Sequence, residues 1–159
     1  MSAAWEHVVM FSSGVGSAVA GKVVAERFGT ERLTLLFADV NGEHGDNYRF
    51  LRQAAEWIGG KLVVLDNDGK TIWQVFAEER FLGNSRVDPC SRVLKREPMR
   101  RWLTENHDPE RTVVHLGFDW TEEHRISRQG SQVSGASIRH GRQSGRALYE
   151  IKAISGGKA

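Results

Sequence analysis

Four short apolar segments, separated by stretches long enough to form helices, constrain the fold of this chain more than any other feature. They cover residues 7–11, 32–39, 61–66 and 112–119. Residues 32–39 are nearly all apolar, as in a strand that is covered on both faces. Strands joined by helical crossovers pair in parallel. The pattern therefore predicts an α/β fold, with three α/β/α layers built on a doubly wound, mostly parallel sheet.

The segments between these strands have the apolar spacing of helices. Predicted helices lie within residues 17–28, 42–60, 71–83 and 91–107, and Pro98 predicts a break or a new start in the last of them.

The chain changes character after residue 126. Residues 127–159 are rich in Gly, Ser, Arg and Gln and show no sustained apolar period, although residues 147–154 have the composition of one short strand or helix. The sequence therefore predicts a folded domain over residues 1–126 and a basic, partly disordered tail over residues 127–159.

Length and composition fit one cytoplasmic domain. The chain has 159 residues, which is enough for one domain with a real core, and a net charge of +2, which favours no particular partner. Its apolar runs are too short to span a membrane. Cys90 is the only cysteine, so no internal disulfide forms, and Glu6 lies where a signal peptide would be apolar.

A glycine- and serine-rich turn, residues 12–17, joins the first predicted strand to the first predicted helix. Backbone N–H groups at such a helix start attract anions. The dinucleotide fingerprint G-x-G-x-x-G fails here, because Val19 replaces its third glycine. The Walker spacing G-x-x-x-x-G-K is present up to Lys22, but Val23 replaces the residue that would hold Mg²⁺.

A third kind of phosphate loop, the pyrophosphate loop S-G-G-x-D-S, matches the turn in part. Ser12, Gly14 and Ser17 fit, whereas Ser13 replaces a glycine and Gly16 replaces the aspartate. A tight turn without a ligand is a further alternative.

Three later blocks carry a family resemblance. They read LLFADVNGEHGDNYRFL, FLGNSRVDPCSRVLKREPM and HLGFDWTEEHRI. With the turn, they resemble the phosphoadenylyl-sulfate (PAPS) reductase-like branch of the adenine nucleotide alpha-hydrolase family, especially its short phage and prophage members, over residues 8–125. The resemblance favours the pyrophosphate loop, which in this branch often reads S-G-G-V-G-S, and implies the fold of that family. For a phage protein, the cytoplasm would be that of the host.

The resemblance also implies a set of site residues. The nucleotide phosphates would lie against Ser12, Ser13, Gly14, Val15, Gly16, Ser17 and Gly117. Asp39, at the end of the second strand, would contact nucleotide or metal, or else only cap a turn. Asp119, Glu123 and Arg125 are candidate pocket residues, or else exposed residues at a helix start.

Basic residues around the cysteine suggest a second anion site. Arg86, Arg92 and Lys95 would bind a phosphate or sulfate group, or else form a solvated helix face. Cys90, at a helix start between two arginines, is expected to have a lowered thiol pKa and to act as a nucleophile. The alternative is a small packing residue.

The implied activity is chemistry on an adenine nucleotide. The ligand would be ATP, PAPS or adenylyl sulfate, with Mg²⁺ as a possible cofactor, and the reaction either adenylation with pyrophosphate release or sulfonucleotide transfer. Gly16 offers no carboxylate to a metal, and no metal-binding residue set is predicted.

Two other functions remain open. The first is a non-catalytic module that binds nucleotide, or binds nucleic acid through the basic tail. The second is a Walker-type nucleotidase that uses Lys22 and Asp39. A homodimer through Trp73, Phe76 and Phe81 is a further expectation.

Overall fold

The computed structural model describes residues 5–81 and 88–117, together with the backbone of strands at residues 138–143 and 146–152. In chain order the elements are β1 (Glu6–Met10), α1 (Val15–Phe28), β2 (Leu33–Asp39), α2 (Gly45–Ile58), β3 (Lys61–Asp66), α3 (Ile72–Glu79), a π-helical segment (Ser91–Arg96), α4 (Glu97–Asn106), β4 (Thr112–Gly117), β5 (Ile138–Gln143) and β6 (Arg146–Lys152).

The strands form one sheet in the order β3-β2-β1-β4-β6-β5. The first four in this order are mutually parallel, which confirms the predicted α/β class. The chain moves outward from β1 to β2 and β3, and then returns to place β4 on the other side of β1. Because right-handed crossovers place the intervening helices on opposite faces for opposite directions, the sheet is doubly wound. The reversal point lies between β1 and β4, at whose carboxyl ends such sheets bind ligands.

Both faces of the sheet are buried. On one face, Val9, Leu35 and Phe37 belong to a core cluster that also contains the apolar residues of α1 and α2. On the other face, Val40 packs with Leu94 and with residues of α3. Alternate residues of the central strands therefore supply two separate cores, which explains why residues 32–39 are apolar almost without interruption.

The helix ends follow local rules. Helix α1 starts at Val15, slightly before the predicted start, since Gly14 already serves as its N-cap. Helix α2 ends at Gly59, which has the left-handed φ of 86°. Pro98 lies in the first turn of α4, directly after the π-helical segment, which confirms the predicted new start at this proline. No helix in the described ranges is long and apolar enough to cross a membrane.

Strands β5 and β6 lie in the segment predicted as a tail. They form an antiparallel pair, and β6 also pairs antiparallel with β4. Strand β6 falls on residues for which one short strand or helix was predicted, whereas β5 lies in a segment for which no element was predicted. Strand β5 contains one apolar residue, Ile138, so its sequence has no apolar period that would predict a strand. The domain boundary at residue 126 remains a prediction.

A histidine pair is buried beside α1, away from the carboxyl ends of the strands. The ring nitrogens His7 Nδ1 and His115 Nε2 are 2.9 Å apart, and His7 stacks on Phe28. His115 is fully buried, and its Nδ1 has no partner among the described residues. Burial, together with repulsion from His7, lowers the pKa of His115 to about 3. Burial also lowers the pKa of His7.

This pair makes the fold sensitive to acid. The unfolded chain protonates His115 near pH 6.5 and the folded chain does not, so stability decreases as pH falls below that value. Between about pH 6.5 and about pH 5, His115 alone is expected to cost roughly 2 kcal/mol of unfolding free energy. Urea denaturation of the wild type and of His115→Gln at both pH values tests this. The variant should lose less stability on acidification. An equal loss in both proteins would contradict the assignment.

Candidate functional site

The turn between β1 and α1 lies at the carboxyl edge of the sheet, beside the reversal point. It leaves β1 at Phe11, whose N–H donates to Leu36 O of β2. Ser13 has φ 54°, in the left-handed region that glycine adopts without strain. The residue that replaces a glycine of the S-G-G pattern therefore keeps a glycine-like conformation, and the chain turns sharply into the helix.

Ser17 holds this turn in shape. Its hydroxyl donates to Gly14 O at 2.8 Å and accepts from the backbone N–H of Ser12 at 3.2 Å. The Ser12 hydroxyl lies 3.3 Å from the Ser17 hydroxyl. Because Ser17 is almost fully buried, it acts from beneath the turn, whereas Ser12 and Gly14 are exposed. The two matched serines of the motif thus interact with each other.

The start of α1 presents unpaired backbone donors. Ala18 N–H is the first to bond within the turn, to Gly14 O. Within the described chain, no acceptor is found for the N–H groups of Val15, Gly16 and Ser17. Gly14 provides no side-chain cap, and the first turn carries no acidic residue. Three free donors at the positive end of a helix dipole can bind an anion without a charged side chain.

Gly117 allows β4 to approach the start of α1. A Cβ atom at Gly117 would lie 2.6 Å from Gly16 O and 3.0 Å from Ser17 Cα. The sequence predicted that the missing side chain admits a nucleotide. Instead, the space is filled by the backbone of the turn itself, so Gly117 positions the turn. At Gly16, by contrast, a Cβ atom would have no neighbour within 4 Å.

Asp39, at the end of β2, shapes the neighbouring loop. Its Oδ1 accepts from Asn41 N–H at 2.8 Å and from the Tyr48 hydroxyl at 2.7 Å. Burial, together with the bond to Asp39, raises the pKa of Tyr48 to about 12, so the phenol remains a donor. The capping role is thus visible. A contact with nucleotide or metal stays a prediction.

A second carboxylate, which the sequence analysis missed, lies at the end of β3. Asp66 is directly opposite Asp39 in the strand register. Its Oδ1 accepts from Asn41 Nδ2 at 2.9 Å and from Gly69 N–H at 2.8 Å. Asn41 therefore connects both carboxylates. The sequence contains the pattern that predicts this residue, because Asp66 ends an apolar run as Asp39 does. Parallel strands end at one edge of the sheet, so the two carboxylates are expected to lie there together.

Cys90 lies in an apolar environment. It packs against the cluster of Val40, Val75 and Leu94, with its Sγ 4.0 Å from Ile72 O. Burial raises the pKa of the thiol, and the charge of Asp88 raises it further. The predicted lowering of this pKa is therefore wrong. The nearby arginines do not lower the pKa of the thiol, because apolar side chains and the carboxylate of Asp88 surround it and raise that pKa.

Two of the basic residues predicted to bind an anion near Cys90, Arg92 and Lys95, differ in their surroundings. Arg92 contacts Glu79 at 2.8 Å and Glu97 at 3.3 Å, so its guanidinium is already paired with two carboxylates. Lys95 lies in the same π-helical segment and is partly buried. Their role in binding an anion stays a prediction. π-Helical turns are rare and often occur at functional sites.

Lys22 does not face the turn. Its Nζ donates to Trp57 O at 3.2 Å and lies 5.1 Å from the centre of the Trp57 ring. The lysine thus neutralises the carboxyl end of α2, where helix carbonyls carry partial negative charge. A Walker lysine would instead reach the phosphates, so this geometry opposes the Walker alternative.

The acidic residues between β2 and α2 serve local structure. Glu43 accepts from Asn47, His44 caps α2 by accepting from Asp46 N–H, and Asp46 pairs with Arg49. In the part of the chain that the structure describes, no three His, Cys, Asp or Glu side chains are grouped to hold a metal. The turn itself supplies no carboxylate at Gly16, and a role for Mg²⁺ beside a bound nucleotide stays a prediction.

The other predicted residues are the aromatic residues of the expected dimer interface and the candidates that lie outside the described residues. Trp73 and Phe81 are exposed, as expected of interface residues, whereas Phe76 is partly buried against Trp73. The homodimer itself remains a prediction. The remaining candidates lie outside the described residues: Arg86, Asp119, Glu123 and Arg125.

A pair of glycine variants tests the packing of this site. Gly117→Ala should lower the unfolding free energy by roughly 1–3 kcal/mol, because the new methyl group meets backbone that cannot rotate away. Gly16→Ala is the matched control. It should leave stability unchanged or raise it by up to about 1 kcal/mol, since the methyl enters open space in a helix. Chemical denaturation measures both, and equal effects would contradict the described contact.

Comparison with known proteins agrees with this geometry. The family model for the phosphoadenosine phosphosulfate reductase domain matches residues 6–126, from the start of β1 to beyond β4. No curated protein matches the chain significantly. The matched segment contains the turn, the Asp39 loop, Cys90 and Gly117, and it makes up most of the chain. By this match, the chain belongs to the phosphoadenosine phosphosulfate reductase domain family.

Proposed function

We propose that the protein binds an adenine nucleotide with its phosphates on the turn between β1 and α1, and that it acts on the nucleotide either at the α-phosphate or at a sulfuryl group bonded to it. The observation that carries this proposal is the row of free N–H groups of Val15, Gly16 and Ser17 at the reversal point of a sheet of this family. Ligands of doubly wound sheets bind at that place, and anions bind at helix starts.

The shape of the turn supports the proposal. Hydrogen bonds from Ser17 hold it, and Gly117 fixes its distance from β4, so the donors are arranged before a ligand arrives. A prearranged site binds more tightly, since little ordering is left to the binding step. The exposed Ser12 hydroxyl donates to the Ser17 hydroxyl at 3.3 Å, and by rotating it would donate to a phosphate oxygen instead.

Two reactions are compatible with such a site. In adenylation, an acceptor attacks the α-phosphate of ATP and pyrophosphate leaves. In sulfonucleotide chemistry, the sulfuryl group of PAPS or adenylyl sulfate is transferred or reduced. The partly buried position of Cys90 against apolar side chains and the raised pKa of its thiol do not favour it as the nucleophile of either reaction. They favour, as a second candidate function, a module that binds the nucleotide without turnover.

Binding can be measured by calorimetry with AMP, ATP, adenylyl sulfate and PAPS, with and without Mg²⁺. Ser17→Ala should weaken binding about five- to tenfold, because the turn loses the hydrogen bonds that shape it. Lys22→Ala is the control, and its affinity should equal that of the wild type, since Lys22 contacts Trp57. Absence of binding by any of the four nucleotides would refute the proposal. Loss of binding in Lys22→Ala alone would restore the Walker alternative.

Turnover distinguishes the enzyme from the module. The wild type is incubated with ATP and assayed for AMP and pyrophosphate, and with PAPS plus a dithiol and assayed for sulfite. Cys90→Ser should retain whatever rate is found, because the thiol is not activated. A nucleotide that binds but does not react in either assay supports the module. A rate lost in Cys90→Ser, with binding intact, would identify the thiol as the nucleophile after all.

A further inference from the structure

The strand pair β5–β6 reaches the edge of the sheet that carries the phosphate turn. Gly117, which contacts that turn, is opposite Leu148 in the register of β4 and β6. Since β6 runs antiparallel to β4, the residues that precede Leu148 extend beyond the end of β4. Arg146 is two residues further, about 7 Å along the strand, and starts β6.

Arg146 also lies on the same face of the sheet as α1. Residues opposite each other in neighbouring strands share a face, and alternate residues along a strand return to it. Gly117 faces the start of α1, so Leu148 and Arg146 belong to that face. Arg142 is opposite Ala147 and therefore lies near the same edge, but on the other face.

A positive charge beside the turn would strengthen the binding of an anion there. The turn and the first turn of α1 contain no Lys or Arg. On the β2 side, Asp39 and Asp66 end neighbouring strands and repel a phosphate. The nearest basic residue along α1, Lys22, is held at Trp57. Strand β6 is the neighbour of β4, about 4.8 Å from Gly117. A cation on this side of the turn would therefore offset the negative charge of a bound phosphate.

We infer that Arg146 is a phosphate-binding residue of the nucleotide site, which the β5–β6 pair brings beside the turn. The inference rests on the proposed function. It assigns a role to a segment beyond the part of the chain that the family model matches. A guanidinium binds phosphate through paired N–H donors, whereas the turn offers only backbone and hydroxyl donors, so an arginine at this edge of the sheet is chemically suited to a phosphate there.

The test compares AMP with adenosine, which lacks the phosphate, by calorimetry on the full chain. Arg146→Gln should weaken AMP binding about tenfold or more and leave adenosine binding unchanged. Arg146→Lys should retain part of the AMP affinity, because the charge remains. Arg139→Gln is the matched control: Arg139 is opposite Glu150, which is level with His115, so it shares the face and the charge but lies away from the edge.

The outcomes separate the two proposals. AMP binding that is equal in the wild type and in Arg146→Gln overturns the inference and leaves the proposed function intact. An equal loss in Arg139→Gln also overturns it, since the effect would then reflect overall charge. A parallel loss of adenosine binding in Arg146→Gln would show a structural effect instead of a phosphate contact, and would overturn it as well. A wild type that binds no AMP refutes the proposed function and this inference together.

Discussion

The close contact between the end of β4 and the start of α1 is the constraint on which the rest of the site depends. Gly117 has no side chain, and the backbone of Gly16 and Ser17 occupies the place where one would lie. This contact holds the first turn of α1 over the reversal point of the sheet. The N–H groups of that turn, which have no acceptor among the described residues, therefore lie at the reversal point, where open α/β sheets bind ligands.

The site that results is neutral on the turn and acidic to one side of it. Asp39 and Asp66 are satisfied by hydrogen bonds from Asn41, Tyr48 and Gly69, and they order the loops that border the turn. Backbone dipoles supply the attraction for an anion. Under the two proposals, Arg146 on the β6 side balances the carboxylates on the β2 side. The acids would then fix loops, while the turn and the arginine would bind phosphate.

Periodicity in the sequence was sufficient to predict the parallel sheet and its helices, since each central strand is covered on both faces and each helix has one apolar side. The glycine- and serine-rich turn was also found, because its chemistry is local. The surroundings of Cys90 were not predictable, since Val40, Ile72 and Leu94 come from three separate elements. The direction of Lys22 depends on Trp57, which is 35 residues away. The placement of β6 beside β4 was not predictable from the sequence for the same reason, because this pairing joins segments that are far apart in the chain.

The central claim is that the helix start at Val15 binds the phosphate of a nucleotide. A crystal structure of the full chain with bound AMP tests it most directly. The account predicts phosphate oxygens within hydrogen-bonding distance of the N–H groups of Val15, Gly16 and Ser17. A phosphate bound elsewhere, for example on Lys22 or along the π-helical segment, with these N–H groups unoccupied, would contradict it.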